Sequence, residues 1–378
     1  MPDIPPPPLG RVKIRVGIVS GFFRQHPVWR APVKGWVTQL NRATFEVFCY
    51  HTSGWQDEET DLARASSDRF VQGPCSADSW CSTILDDAPD VLIYPEIGMD
   101  PMTARLAARR LAPVQCNSWG HPDTSGFPTL DYFLSGKEME PAGSQDHYTE
   151  QLVNLPGLGI YYEPNSIKLV ASDRAALALS GTVPNFWCGQ SLYKYLPEDD
   201  DVYPRIAQMV GACRFIFIRY PFGEVVTSKF KARLDDAFSR FGMVGEHYYI
   251  LMPRLTGDEF VALIKKCDLA LDSIGWSGFN TNLEAIYHDK AVVTLPGKLM
   301  RGRHTAAAMT IMGIKDSIAS TKEEFILIAA ELATDQERRE KMEQKISQRK
   351  HLLFRDREPI DALEKFLAHA VSGTNLPP

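Results

Sequence analysis

The sequence predicts an α/β protein of two domains, each a parallel sheet covered by helices on both faces. Three observations lead there. At 378 residues the chain is longer than one hydrophobic core usually sustains. Short apolar runs closed by turn residues alternate with segments of helical periodicity along its whole length. Between Tyr161 and Pro184 the alternation thins into polar, alanine-rich sequence, which marks the junction.

The elements follow in order. Five prolines within residues 1–10 favour an extended, poorly ordered lead-in. RVKIRVGIVS reads as a strand ending at Ser20-Gly21; after the loop FFRQHPVWR, residues Val33, Trp36, Val37 and Leu40 mark one face of a helix. FEVFCYH and DVLIYP are further strands, Pro101–Arg110 a helix, and APVQCNSWG, DYFLSG and LVNLPG complete the first series. The second runs NFWCGQS, a helix near Val202–Gly211, RFIFIRYP, a charged helix around Ser228–Phe241, and HYYILMPRL. A helix with Phe260, Leu263, Ile264 and Cys267 on one face comes next, then DLALDS, a helix from Asn280, and KAVVTLPG. Thr321–Gln348 reads as one long charged helix, and Ile360, Leu363, Phe366 and Leu367 as the face of a last one. The first domain is set at 11–172 and the second at 183–378, terminal helices included.

Composition excludes several classes. A net charge of −6 argues against a partner held through nucleic-acid phosphates. The seven cysteines are scattered, without a C-x-x-C pair, and read as reduced thiols of a cytoplasmic protein, not a disulfide frame or zinc site. No apolar run approaches the roughly 20 residues that span a bilayer, so no membrane is expected. No cluster has metal-ligand spacing, and neither G-x-G-x-x-G after the first strand nor a P-loop occurs.

Ligands of open parallel sheets bind beyond the carboxyl ends of the strands, so residues just after each apolar run are the candidates. In DSIGWSGFNTNLEA, Ser277 and Gly278 lead into a helix opening at Asn280 or Thr281, where free amides attract phosphate. Glu284 suits a ribose hydroxyl; equally, Thr281–Glu284 fits a capping box that needs no ligand. His26 suits general-base work or contact with an anionic donor, or is a loop histidine bonded to backbone. Lys194, with Gln190 nearby, either neutralises a leaving diphosphate or is a solvated lysine. His121, Pro122 and Asp123 form a sugar or acceptor contact, or a Pro-Asp turn. Pro296 and Gly297 follow a strand on the same sugar and acceptor side, ahead of Arg301, Arg303 and His304, which suit an anion or make a surface patch. Asp86, Asp87 and Asp90 read mainly as solvated turn carboxylates.

Taken together, RVGIVSGFFRQHP, APVQCNSWGHPDTSG, GQSLYKYLP, LDSIGWSGFNTNLEA and VVTLPGKLMRGRHTAA resemble, in the same order, segments of the catalytic region of the O-linked N-acetylglucosamine transferase family, in its bacterial branch. The resemblance spans about Arg11 to Lys350. It implies the glycosyltransferase-B fold, two facing Rossmann-like domains, the first on the acceptor side and the second holding a UDP-sugar. It also implies a metal-independent, inverting transfer to a polypeptide, with the UDP-sugar as co-substrate and no cofactor. His26 matches the histidine beside donor and acceptor, and Lys194 the lysine on the diphosphate. Asn280 and Thr281 would cradle phosphate and Glu284 bind ribose. Leu255 would meet uracil through backbone groups, with Phe260 packing on the base. Asp90 falls near a polar position that faces the acceptor in some members.

Departures from the family leave donor sugar and acceptor atom open. The tetratricopeptide array of many members is absent from this sequence, and Phe279-Asn280 replaces a His-Thr pair. His121 in GHPDTSG and the phrase PEIGMDP look closer to the cytoplasmic N-glycosyltransferases. A non-catalytic nucleotide-sugar-binding module and a sugar-nucleotide epimerase on the same fold are the competing readings.

Overall fold

The structure, a computed structural model, describes residues 12–164, 179 and 183–373. The lead-in and most of the expected junction lie outside them. The chain divides into two units: one runs to Glu163 and resumes at Phe354, the other is Pro164–Leu353.

Unit 1 is built on seven parallel strands, β1 (Ile14–Ser20), β2 (Phe45–His51), β3 (Arg69–Gln72), β4 (Val91–Tyr94), β5 (Val114–Ser118), β6 (Tyr132–Gly136) and β7 (Gln151–Leu155), in the order β3-β2-β1-β4-β5-β6-β7. β1 pairs with β2 from Ile14–Phe45 to Ser20–His51, and with β4 on its other side. Chain order therefore reverses direction between β1 and β4, the switch point at which such sheets bind ligands. The period of two sends Val16 and Ile18 to one face, against Trp29, Trp36 and Val37, and Val19 to the other, with Tyr50, Trp80 and Ile84. A π-helical turn, Trp29–Val33, precedes α1 (Lys34–Gln39); α2 (Glu58–Ala65), α3 (Ala77–Asp87) and α4 (Pro101–Ala107) complete the covering helices of the first half.

Unit 2 has five parallel strands, β8 (Asn185–Cys188), β9 (Arg214–Ile218), β10 (Tyr249–Met252), β11 (Leu269–Leu271) and β12 (Ala291–Val293), in the order β10-β9-β8-β11-β12. Its switch point lies between β8 and β11. Its helices are α5 (Val202–Val210), α6 (Glu224–Arg240), α7 (Gly257–Lys266), α8 (Asn280–Tyr287), α9 (His304–Ile311), α10 (Lys322–Thr334) and α11 (Gln336–Arg349).

Two expectations change. The single helix over Thr321–Gln348 is broken at Asp335, whose extended backbone ends α10 and whose carboxylate caps α11 by accepting the Arg338 amide. The last helix, α12 (Glu358–Ser372), set by sequence in the second domain, belongs to unit 1. Its Ile360, Leu363, Phe366 and Leu367 are buried in the core that holds Val16 and Trp36. Burying four such side chains contributes roughly 6–12 kcal/mol in gross terms, enough to decide where an amphipathic helix docks.

Candidate active site

In unit 2 the residues after β8 and β11 meet at the switch point. Asp272, buried just past β11, accepts from four donors: Gly278 N–H at 2.7 Å, Asn282 Nδ2 at 2.7 Å, Ser277 Oγ at 2.6 Å and Thr294 Oγ1 at 2.8 Å. Burial raises its pKa, and these bonds oppose that by favouring the charged form. Gln190 joins the network from β8, its Nε2 donating to Asn282 Oδ1 at 2.8 Å while Tyr195 Oη donates to its Oε1 at 2.6 Å. Thr305, in the first turn of α9, adds a hydroxyl donated to the Gly278 carbonyl at 3.0 Å. The turn ahead of α8 is thus fixed from three directions. A β-carbon on Gly278 would lie 2.7 Å from Thr281 Oγ1 and 2.9 Å from both Asn282 Nδ2 and Gln190 Nε2.

The helix start itself has no side-chain cap. Its N-cap is Phe279, Asn280 and Thr281 are its first two residues, and the Thr281–Glu284 capping box does not form. Glu284 is nearly buried in the first turns. The amides of an uncapped first turn carry the positive end of the helix dipole. Lys194 brings a second positive charge: its Nζ donates to the Ser277 carbonyl at 3.1 Å and lies 5.7 Å from the Trp276 ring centroid. Burial lowers its pKa to about 8, against the raising effect of Asp272. Arg301 sits 5.7 Å from the same ring, held there because its carbonyl accepts the Ser277 amide at 2.8 Å. Pro296 and Gly297 lie in the loop beneath, where Gly297 N–H reaches the Gly302 carbonyl at 2.8 Å and Arg303 the Gly297 carbonyl at 3.1 Å. His304 is buried edge-on to Phe279, and burial, then the Lys194 charge, lower its pKa to about 3, so it is neutral. Beyond β10, Leu255 and Phe260 occupy the positions that flank a capping box formed by Thr256 and Glu259, and Phe260 meets Trp187 edge-on at 4.9 Å.

In unit 1 the loop after β1 carries His26. Its Nδ1 accepts the Val28 amide at 3.2 Å and its ring stacks on Phe22 at 4.0 Å. A backbone amide only donates, so the neutral ring carries its proton on Nε2 and presents a donor there. Burial, then the Arg24 charge, lower the His26 pKa to about 4. In this arrangement His26 offers a hydrogen-bond donor at Nε2, while its general-base role stays an expectation. Across the switch point, Glu96 follows β4, is fully buried, and accepts the Gly21 amide through Oε1 at 3.1 Å, while its Oε2 has no partner. Burial raises its pKa to about 8. His121, Pro122 and Asp123 lie beyond β5 in a turn closed by the Asp123 amide on the His121 carbonyl, and Glu150 organises the residues that follow by accepting from Thr124 Oγ1 and the Ser125 amide.

Asp90 is not brought to this edge. It precedes β4, at the opposite end of the sheet from His26, and its buried carboxylate takes the Arg15 amide at 2.8 Å, tying β1 to β4. Asp272, Asn282, Thr305, Trp276 and Glu96 are the site residues that sequence reasoning passed over. Asp272 had a signal: a carboxylate at a strand exit followed within ten residues by Ser277, Gly278 and Asn282, all donors. Among the described residues no group of three or more His, Cys, Asp or Glu is placed to hold a metal ion, and no helix is long and apolar enough to cross a membrane.

Comparison with known proteins agrees with this geometry. The O-GlcNAc transferase of Thermobaculum terrenum, solved as a mutant, superposes with a TM-score of 0.84 at 28% identity, over 96% of this chain and 69% of that one. The N-terminal domain of Candida albicans trehalose-6-phosphate phosphatase shares the fold alone, with a TM-score of 0.59 at 11% identity over 97% of this chain and 98% of that one. The SPINDLY protein of Petunia hybrida, named as a UDP-N-acetylglucosamine–peptide N-acetylglucosaminyltransferase, is 26% identical over 67% of this chain and 27% of its own length. The SEC protein of Arabidopsis thaliana, which carries the same enzyme name, is 24% identical over 86% of this chain and 33% of its own. The chain thus spans about a quarter to a third of these curated relatives. The model of glycosyl transferase family 41 matches residues 8–161 and 163–358, so the chain belongs to that family.

Proposed function

We propose that the chain is an inverting, metal-independent glycosyltransferase that moves N-acetylglucosamine or a hexose from a UDP donor to a polypeptide side chain, a Ser or Thr hydroxyl or an Asn amide. The observation that carries this reading is the cradle at the β8–β11 switch point, where the uncapped start of α8 and Lys194 offer positive charge to a diphosphate. The acceptor oxygen or nitrogen attacks the anomeric carbon, the bond to the diphosphate oxygen breaks, UDP leaves with the electron pair, and the acceptor's proton passes to the departing diphosphate or to solvent. Lys194 and the amides at Asn280–Thr281 offset the charge that develops on it. Ser277, Gly278 and Gln190 hold the cradle's shape; Glu284 takes the ribose, and Leu255 and Phe260 the uracil. His26 donates from Nε2 to orient donor or acceptor, and the turn at His121, Pro122 and Asp123 with the loop at Pro296 and Gly297 contacts sugar and acceptor. The names of the Thermobaculum and plant relatives favour N-acetylglucosamine and a protein acceptor. Seven free cysteines, six of them buried, fit a cytoplasmic setting.

The test is incubation with UDP-N-acetylglucosamine, UDP-glucose and UDP-galactose plus acceptor peptides in the presence of a chelator. Mass spectrometry names the sugar from the mass increment and the acceptor residue from the fragment. Failure to release UDP with every donor and peptide would sink the reading.

A further inference from the structure

Unit 1 contains a cavity of about 700 Å³ at the carboxyl ends of its strands, lined by Gly21, Phe22 and Arg24 after β1, Thr52 to Gln56 after β2, and Met99 to Pro101 at the start of α4, among others. Arg24 is unusual within it. Its guanidinium lies 5.5 Å from the Phe22 ring centroid and 5.8 Å from that of Trp55, and has neither a hydrogen bond nor an ion pair to any described residue; its Nε is buried without a partner. The acid in the same wall, Asp100, is committed elsewhere: Oδ1 caps α4 through the Met102 amide at 2.9 Å and Oδ2 accepts from Thr52 Oγ1 at 2.5 Å.

A guanidinium beside two aromatic rings keeps its charge while the rings hold it in place, and its N–H fork matches a carboxylate with two parallel bonds. The chemistry of the remaining wall narrows the ligand. Phe22, Met99, Pro74, Pro101 and Trp55, which is 72% exposed, give the cavity an apolar side that faces a polar one of Thr52, Ser53 and Gln56. Space on this scale far exceeds one phosphate, and a single cation with Asp100 nearby is a poor match for a dianion. A monovalent carboxylate on an aliphatic stem fits both features. Phe22 also stacks on His26, so the cavity is one aromatic ring away from the histidine beside which the acceptor is proposed to lie.

We propose that this cavity is an acceptor subsite in which Arg24 takes the carboxylate of a Glu or Asp side chain of the polypeptide, so that the enzyme selects acceptors with an acidic residue near the modified one. This rests on the reading of the chain as a polypeptide glycosyltransferase, which the test separates from the subsite itself. Peptides identical except for Glu or Gln at positions flanking the acceptor residue are compared by kcat/KM and, without donor, by calorimetry. The wild-type protein is expected to prefer the Glu peptide about tenfold, the size of one charge-assisted bond lost, with the ratio shrinking in high salt. Arg24→Gln brings the ratio to about one, and Arg24→Lys, which keeps the charge but not the fork, recovers only part of it. Trp55→Ala lowers it as well and serves should the Arg24 variants fold poorly.

Equal kcat/KM for both peptides in the wild-type protein overturns the subsite while leaving the transferase reading standing. If no peptide is modified, the transferase reading falls, and calorimetry still decides the subsite: binding of the Glu peptide that Arg24→Gln abolishes upholds it, and absence of binding overturns it. Inorganic phosphate that binds at Arg24 more tightly than the Glu peptide also overturns it, in favour of a free anion.

Discussion

The Asp272 carboxylate accepts the Gly278 amide at 2.7 Å, so a buried acid fixes the turn from which an uncapped, positively polarised helix start emerges. The acid shapes the cradle; it does not fill it. With Gln190 and Asn282 closing around Gly278, that position has no room for a side chain. Gly278→Ala is expected to cost about 1–3 kcal/mol in stability and to weaken UDP binding by tenfold or more. Thermal unfolding and calorimetry measure the two effects, and an alanine variant with unchanged UDP affinity would show that the turn is not part of the donor site.

Lys194 sets a pH limit on the same site. Burial lowers its pKa to about 8, so the free protein loses this positive charge as pH rises through that value. UDP should then bind with uptake of a proton, and its affinity should fall about fivefold between pH 8 and 9. Calorimetry in buffers of different ionisation enthalpy reads the proton directly. Lys194→Met should bind UDP weakly at every pH and take up no proton; wild-type affinity that is level from pH 7 to 9 would remove Lys194 from the diphosphate.

For His26 the expectation is an absence of titration near neutrality. With its pKa lowered to about 4 and its proton on Nε2, kcat/KM should be flat between about pH 5.5 and 7.5. His26→Gln, which retains a donor, should keep more activity than His26→Ala. An acidic limb near pH 6.5 that vanishes in both variants would restore the general base.

Glu96 makes stability depend on pH in the sense opposite to an ion-paired acid. Its pKa is raised from 4.5 to about 8, so over that window the folded state holds a proton that the unfolded state has lost. Stability contributed by this group is fully present below about pH 4.5 and is lost as pH rises through about 8, by an amount on the order of a few kcal/mol. Glu96→Gln keeps an acceptor for the Gly21 amide and removes the titration. Its melting temperature should overtake that of the wild type towards pH 8 to 9, and parallel curves from pH 5 to 9 would refute the assignment.

What the sequence made legible follows from period and position. Two parallel sheets could be read because the centres of their strands, such as VGIV at 16–19 and FIFI at 215–218, are apolar without a break, as doubly covered strands must be. β3, α2 and α3 escaped because Arg69–Gln72 is four residues of half-exposed strand and α3 carries its apolar face on only Trp80, Cys81 and Ile84 amid serines and aspartates. In the site, Gly278, Asn280 and Lys194 were visible from their places after strands. The roles of Asp272 and Thr305 were not, since their partners lie in other segments and no local spacing encodes them. Glu284 shows the reverse: an S/T-x-x-E spelling that the backbone does not use, because Phe279, not Thr281, occupies the cap. Arg24 looked like any loop arginine until the absence of a partner set it apart.

The placement of α12 bears on how the protein is made. Leu363, Phe366 and Leu367 of the unit 1 core are synthesised only after the whole of unit 2. The whole of unit 2 leaves the ribosome first, which at ordinary elongation rates takes roughly 10–40 s. For that time the face holding Val16, Trp36 and Val37 lacks its final cover. Of the two units, the one whose strands are translated first is the one whose core is completed last.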